Sequence, residues 1–151
     1  MIEAVTYRLE WGDGRLLHTT GILGRLPGKV TDMPTLHILR AGTPQPRSDR
    51  WGTSFALEMS NEVIMVDCGP CATAKLIDAG VALTDANWLF FTHHHSDHNA
   101  DYPSLMLFRW DQCTGEEPPL KVVGPPPTEH VTERLFGPDG AFRDDIAARI
   151  N

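Results

Sequence analysis

The chain has 151 residues, of which 41% are hydrophobic and 22% charged, a composition typical of one globular domain with a buried core. Its net charge of −7 argues against, without forbidding, an RNA substrate, because nucleic-acid-binding proteins usually present a basic face. Three cysteines fit a reducing compartment better than a disulfide framework. No stretch is long enough to span a membrane, and charged residues interrupt the N-terminus where a signal peptide would be apolar. We therefore expect a cytoplasmic protein with no membrane partner.

The first 33 residues carry little pattern, and we interpret residues 1–33 as an N-terminal extension of a domain formed by residues 34–151. Within the extension, residues 2–11 are compatible with a strand that ends at the turn Gly12-Asp13-Gly14.

The domain itself alternates strand and helix patterns, which predicts an α/β fold. The predicted strands are residues 35–39, 53–59, 63–66, 87–92 and 120–123, and the predicted helices are residues 70–79, 102–111, 128–136 and 141–150. Pro70 suits a first helical turn and Gly80 suits a helix end. In the helix at 102–111, we expect Leu105, Phe108 and Arg109 to point inward.

A cluster of histidines follows the apolar strand at 87–92. It reads His93-His94-His95-Ser96-Asp97-His98 and holds four of the seven histidines of the chain. Imidazole nitrogens and a carboxylate are the ligands that zinc and similar divalent ions prefer. His93 and His95 are two apart and can bind one ion together, and Asp97 with His98 is close enough to hold a second. A polar surface turn rich in histidine is the alternative, and the spacing disfavours it.

The His-x-His-x-Asp-His pattern resembles the metal loop of the metallo-β-lactamase-fold hydrolases, in particular their ribonuclease Z and arylsulfatase-like branch. Two further stretches are similar to that branch: residues 39–54, with a Gly/Thr/Pro turn after a strand, and residues 62–69, a strand ending in Asp-Cys-Gly. The resemblance covers about residues 35–151. It implies a metallo-β-lactamase-like αββα sandwich, of which this chain would form the N-terminal half.

The resemblance also implies roles for individual residues. His93 and His95 would bind the first of two Zn²⁺ ions, with iron or manganese as alternatives, and Asp97 and His98 would bind the second. Asp97 would in addition accept a proton from the attacking water, and His94 would face away. Asp67 would fix the tautomer of an imidazole; a cap for the backbone amides that follow it is an equally good interpretation.

The second half of the family's ligand set is missing from the pattern. The family completes its site with a later histidine, a bridging aspartate and a final histidine, whereas only His130 follows His98 in this chain. His130 lies at a predicted helix start and is more simply a solvated residue. The chain is therefore expected to be a fragment, or to form a homodimer that rebuilds the missing half.

Cys68-Gly69-Pro70-Cys71 matches the dithiol motif of thioredoxin-like proteins. The neighbouring Asp67 argues against that function, because a carboxylate raises the pKa of an adjacent thiol. Zinc held by the two thiols together with the histidines is a third possibility.

We therefore expect a divalent-metal hydrolase of ester bonds, acting on a small ester or RNA. The bond would be a phosphodiester, as in the tRNA 3′-processing nucleases of the family, or a sulfate ester. A non-catalytic metal-binding fragment is the first alternative, and a dithiol redox protein the second.

Overall fold

The computed structural model describes residues 33–150, except 46 and 61, and the backbone of three short strands before residue 33. The strands are β1 (Val5–Arg8), β2 (Trp11–Gly12), β3 (Arg15–Leu16), β4 (Thr35–Arg40), β5 (Ser54–Met59), β6 (Glu62–Val66), β7 (Ala86–Phe90) and β8 (Lys121–Gly124). The helices are α1 (Ala72–Asp78), α2 (Ser96–Asn99), α3 (Tyr102–Gln112), α4 (Thr128–Phe136) and α5 (Arg143–Ile150). Within these described ranges, no helix is long and apolar enough to cross a membrane.

In the described part of the chain, six strands form one mixed sheet in the order β1-β8-β7-β6-β5-β4. The β4/β5, β5/β6 and β1/β8 pairs are antiparallel, and the β6/β7 and β7/β8 pairs are parallel. Parallel neighbours need a crossover connection, and the chain supplies it with α1 after β6 and with α2 and α3 after β7. The carboxyl ends of β6 and β7 therefore lie at the same edge of the sheet, so the segments that follow them meet there.

One face of the sheet forms the core. Side chains alternate between the two faces of a strand, and those that point to the helices are buried: Leu39, Ala56, Val63, Met65, Leu89 and Val122. Ala72 and Leu76 of α1 and Leu105 of α3 belong to the same buried cluster. Burial of this apolar surface provides the main driving force for folding.

The opposite face of the sheet is also apolar but much less covered. We call it the outer face; it consists of Leu36, Ile38, Phe55, Leu57, Ile64, Trp88 and Phe90. Leu36 lies opposite Leu57, and Ile38 lies opposite Phe55. Leu36 and Ile38 are 59% and 65% exposed, and the other five are half-buried. The N-terminal half of an αββα sandwich would leave one sheet face without its partner layer, and these exposures agree with that arrangement.

The N-terminal region contributes to the same sheet. Of the strand predicted at residues 2–11, Val5–Arg8 forms β1. Gly12 pairs with Arg15 in the two-stranded β2/β3 ladder, which encloses the predicted turn; residues 13 and 14 themselves lie outside the described residues. The division of the chain at residue 33 stays a prediction.

The predicted helices exist, with two corrections. The first begins at Ala72 rather than Pro70, because Cys71 before it has a left-handed backbone with φ 65°. Phe108 does not point inward: it is 51% exposed, while Leu105 and Arg109 are buried as expected. The inward stripe of α3 includes Tyr102 and Met106 instead, so that Phe108 falls outside it.

The buried Arg109 joins α3 to the sheet. Its guanidinium donates to the carbonyls of Ala86 at 2.9 Å, Thr84 at 3.2 Å and Pro118 at 2.6 Å, and to Asn87 Oδ1 at 3.2 Å. These oxygens lie at or just before the start of β7 and in the segment before β8. One side chain therefore stabilises the beginnings of both strands. Burial lowers the pKa of Arg109, but a guanidinium remains charged at neutral pH.

We predict that Arg109→Met destabilises the fold by about 3 kcal/mol, because each buried acceptor left unpaired costs about 1–3 kcal/mol. Denaturant unfolding followed by circular dichroism measures the change. Arg143→Met, at an exposed position on α5, is the matched control and should stay near wild type. Equal stability of the two variants would contradict the role of Arg109.

Candidate metal centre

The histidine loop occupies the edge of the sheet where β6 and β7 end. His93 and His94 follow β7, and His95 is the extended residue, with φ −67° and ψ 150°, that precedes α2. Two backbone contacts hold the loop: Thr53 N donates to Asp97 O at 2.9 Å, and Cys68 N donates to His98 O at 2.7 Å. The loop therefore lies on the segments that precede β5 and follow β6.

Two glycines make this close approach possible. A Cβ atom at Gly52 or at Gly69 would lie 2.2 Å from Asp97 O, a distance that backbone atoms cannot relieve without moving the loop. Asp97 thus packs against Gly52 and Gly69, and these glycines lie in the two family-like stretches at residues 39–54 and 62–69.

Asp67 connects the end of β6 with the histidine loop. It is 1% exposed and has a left-handed backbone with φ 59°. Its carboxylate accepts hydrogen bonds from Thr92 N at 2.8 Å, from Thr92 Oγ1 at 2.8 Å and from His98 Nδ1 at 2.7 Å. The amides of Cys68 and Gly69 donate to other carbonyls, so the interpretation of Asp67 as a cap for the amides that follow it is wrong.

These hydrogen bonds fix the tautomers of two imidazoles. An ionised carboxylate only accepts, so Asp67 requires a proton on His98 Nδ1 and leaves the lone pair on Nε2. Thr92 Oγ1 gives its own proton to Asp67 and can then only accept from His93 Nδ1, which lies 3.0 Å away. His93 therefore also presents a free lone pair on Nε2, the form that binds a metal. No role for Thr92 was predicted from the sequence, since a hydroxyl relay has no signal in residue spacing.

His93 and His95 form a close pair. His93 Nε2 lies 3.1 Å from His95 Nδ1. Two nitrogens that bind one tetrahedral zinc at about 2.05 Å are about 3.3 Å apart. The spacing of the pair therefore fits a shared ion.

Asp97 and His98 form the second pair. Asp97 is 7% exposed, and its Oδ2 lies 3.5 Å from His98 Nε2. Its Oδ1 is buried and has no hydrogen-bond partner among the residues that the structure describes. A buried carboxylate oxygen without a partner costs free energy, and a bound cation would remove that cost.

The two pairs do not converge on one point. Within residues 33–150, leaving aside 46 and 61, no group of three or more His, Cys, Asp or Glu side chains is arranged to hold a metal ion. The chemistry of each pair fits a divalent ion, and each pair supplies two donors. Catalytic zinc sites generally use three protein ligands, so further donors would be needed to complete either shell.

His94 and His130 lie apart from these pairs. His94 Nε2 is 2.6 Å from Thr128 Oγ1 on α4, and its Nδ1 is 3.3 Å from Asn99 Nδ2. Burial lowers the pKa of His94, which favours its neutral form. His94 therefore faces α4 and away from the two pairs, as expected. His130 is exposed on the same helix.

The cysteines do not have the properties of a redox dithiol. Cys68 is fully buried; burial, followed by the charges of Asp101 and Asp67, raises its pKa well above the ordinary value. A reactive thiol needs a lowered pKa and access to solvent. The expected effect of Asp67 has the right direction, but burial is the larger cause. The thiols also join no group of three metal-binding side chains in the described residues.

Comparison with known proteins agrees with the fold. The chain is 37% identical over 114 residues to a ribonuclease Z of Mycobacterium sp. (strain KMS), covering 75% of this chain and 39% of that protein. It is 32% identical over 119 residues to the ribonuclease Z of Mycobacterium marinum, covering 78% of this chain and 42% of the relative. The structure of human tRNase Z, short form, superposes with a TM-score of 0.50 and 25% identity, over 54% of this chain and 31% of that one.

The fold is that of the metallo-β-lactamase-like α/β proteins, and the chain is similar to ribonuclease Z proteins over part of their length. The profile of the family described as "Anti-Pycsar protein Apyc1" matches residues 36–118, more than half of the chain. The chain belongs to this family. It spans about two-fifths of the length of the curated relatives that it matches.

We predict that changing both His93 and His95 to Ala removes at least half of the zinc that the protein binds, because the pair provides both nitrogens of one proposed site. Elemental analysis after dialysis against buffered Zn²⁺ measures the content, and His130→Ala is the control that should leave it unchanged. Equal zinc in the double variant and the wild type would exclude the pair as a site.

Proposed function

We propose that the chain carries the metal-binding loop of a divalent-metal-dependent hydrolase that cleaves phosphodiesters. The observation that supports this most directly is the hydrogen-bond relay from Asp67 to His98 and, through Thr92, to His93. The relay gives both imidazoles the tautomer that binds metal. In a solvated surface turn, by contrast, the tautomers of the histidines would not be fixed. When bound, zinc, iron or manganese supplies Lewis-acid chemistry for hydrolysis near neutral pH.

Each residue of the loop has a separate role in this proposal. His93 and His95 would hold the first ion, and Asp97 and His98 would hold the second. Asp97 would also accept a proton from the attacking water, as a carboxylate beside the reacting group can do. Asp67 and Thr92 have a positioning role, because their hydrogen bonds orient the two imidazoles.

A phosphodiester is preferred over a sulfate ester because the curated relatives are ribonuclease Z proteins. The net charge of −7 favours a small ester over a long RNA, because an acidic protein repels a polyanion. The cytoplasm remains the expected compartment.

We predict that the chain hydrolyses bis-p-nitrophenyl phosphate slowly when Mn²⁺ or Zn²⁺ is added, and that Asp97→Asn lowers kcat at least about a hundredfold, as loss of a general base does. Release of p-nitrophenol measures the rate, and p-nitrophenyl sulfate tests the alternative ester. Asp139→Asn, in an exposed turn, is the control. Metal binding without any hydrolysis would instead favour a non-catalytic metal-binding protein.

The outer face of the sheet supports a second element of the proposal, which is association with a second copy of the chain. Two such faces packed together would form the inner layers of a β-sandwich, in which sheets lie about 10 Å apart. Contiguous apolar patches on soluble proteins commonly mark an interface. The exposed Leu36 and Ile38 lie on the edge strand β4, where a partner would cover them.

We predict that the protein sediments as a dimer at micromolar concentration and that Ile38→Lys shifts it to the monomer, because a charge on the outer face would have to be buried unpaired. Analytical ultracentrifugation measures the distribution. Ile77→Lys is a matched control: it replaces an isoleucine of similar exposure, 53%, on α1. A monomeric wild type, or an equal shift with Ile77→Lys, would refute association through the outer face.

A further inference from the structure

A half-buried carboxylate, that of Asp101, lies between α2 and α3 and joins this part of the chain to α1. Its Oδ2 accepts a hydrogen bond from Thr73 N at 2.7 Å. Its backbone N donates to Cys68 O at 3.0 Å, and Cys68 N donates to His98 O at 2.7 Å. Three hydrogen bonds therefore hold residues 98–101 against residues 68–73.

The helix that Asp101 contacts has no capping side chain of its own. Cys71, which precedes α1, has a left-handed backbone and makes no side-chain hydrogen bond to the helix, and the first turn contains no acidic residue. The first amides of a helix have no acceptor within it, and a carboxylate that accepts from one of them stabilises the helix end. Asp101 supplies this acceptor to Thr73, the second residue of α1, from 28 positions farther along the chain.

The helix that Asp101 precedes does not use the same carboxylate. Asp101 comes directly before α3, but its side chain makes no capping hydrogen bond to that helix. Pro103, the second residue of α3, has no amide proton to donate. The side chain of Asp101 is therefore directed to α1, on the other side of the histidine loop, and not to its own neighbour in sequence.

We propose that Asp101 is a positioning residue of the candidate metal centre: by capping α1 it fixes α2, the short helix that carries Asp97 and His98. The proposal rests on the proposed function, because it concerns the residues that would hold the second ion. Asp67 orients the ring of His98, whereas Asp101 holds the backbone on which that ring and the carboxylate of Asp97 stand. His93 precedes α2 and lies outside the clamped residues, so loss of Asp101 should act on the second pair selectively.

The first test is hydrogen–deuterium exchange of the metal-free protein, followed by mass spectrometry of its peptides. Asp101→Ala should speed exchange of residues 96–101 and of the first turn of α1 about fivefold, as loss of one helix cap does, and leave α5 as protected as in the wild type. Asp101→Asn, which retains an acceptor oxygen, should stay close to wild type. Glu117→Ala is the matched control, because it removes a carboxylate that accepts from two backbone amides, those of Thr114 at 2.8 Å and Gly115 at 3.2 Å; it should leave residues 96–101 unchanged.

Zinc content provides the second test. After dialysis against buffered Zn²⁺, Asp101→Ala should lose the zinc assigned to Asp97 and His98 and keep the zinc assigned to His93 and His95, whereas Asp101→Asn should keep both. Unchanged exchange of residues 96–101, equal acceleration throughout the chain, or full zinc content in Asp101→Ala would overturn the role of Asp101. A wild type that binds no zinc would instead contradict the proposed function, and the exchange comparison would still decide whether Asp101 holds α2.

Discussion

The arrangement of the histidine loop depends on one buried carboxylate, that of Asp67. A charge with 1% exposure is expensive to bury unless every lone pair finds a donor. Thr92 and His98 supply those donors, and these hydrogen bonds fix the orientation of both side chains. The free energy of satisfying one buried charge is thus what orders the loop, before any ligand is considered.

The backbone at Asp67 adds a second constraint. Its φ of 59° is unfavourable for a residue with a side chain, by about 1–2 kcal/mol, although Asp and Asn tolerate this region better than most residues. The left-handed turn directs the carboxylate back over the end of β7. Ser54 Oγ donates to Asp67 O at 2.9 Å, and Asp67 N donates to Phe90 O at 2.8 Å. The strain at this position is therefore held by neighbours from two strands.

The sequence predicted the elements better than their contacts. Strand patterns at residues 53–59 and 63–66 located β5 and β6, and the spacing of His93, His95 and His98 identified the loop. Local patterns contain this information because alternation and turn chemistry act within a few residues. The contact of His94 with Thr128, 34 positions later, has no such local signal.

The error at Phe108 has a related cause. The positions 105, 108 and 109 are all compatible with one face of a helix, and the sequence alone does not show how wide that face is. Arg109 was expected inward although it is charged, and its burial depends on carbonyls of distant segments. The role of Thr92 depends on the direction of a hydroxyl proton, which follows from its partners and not from its position in the chain.

The pairing of β1 with β8 bears on the order of folding. Val5 lies opposite Gly124, so this ladder joins residues separated by most of the chain, whereas β4, β5 and β6 are neighbours in sequence. Closing a long loop costs more conformational entropy than closing a hairpin, and contacts between distant residues slow folding. The β4–β6 meander can therefore form early, while the edge of the sheet at β8 stays open to other strands until β1 arrives.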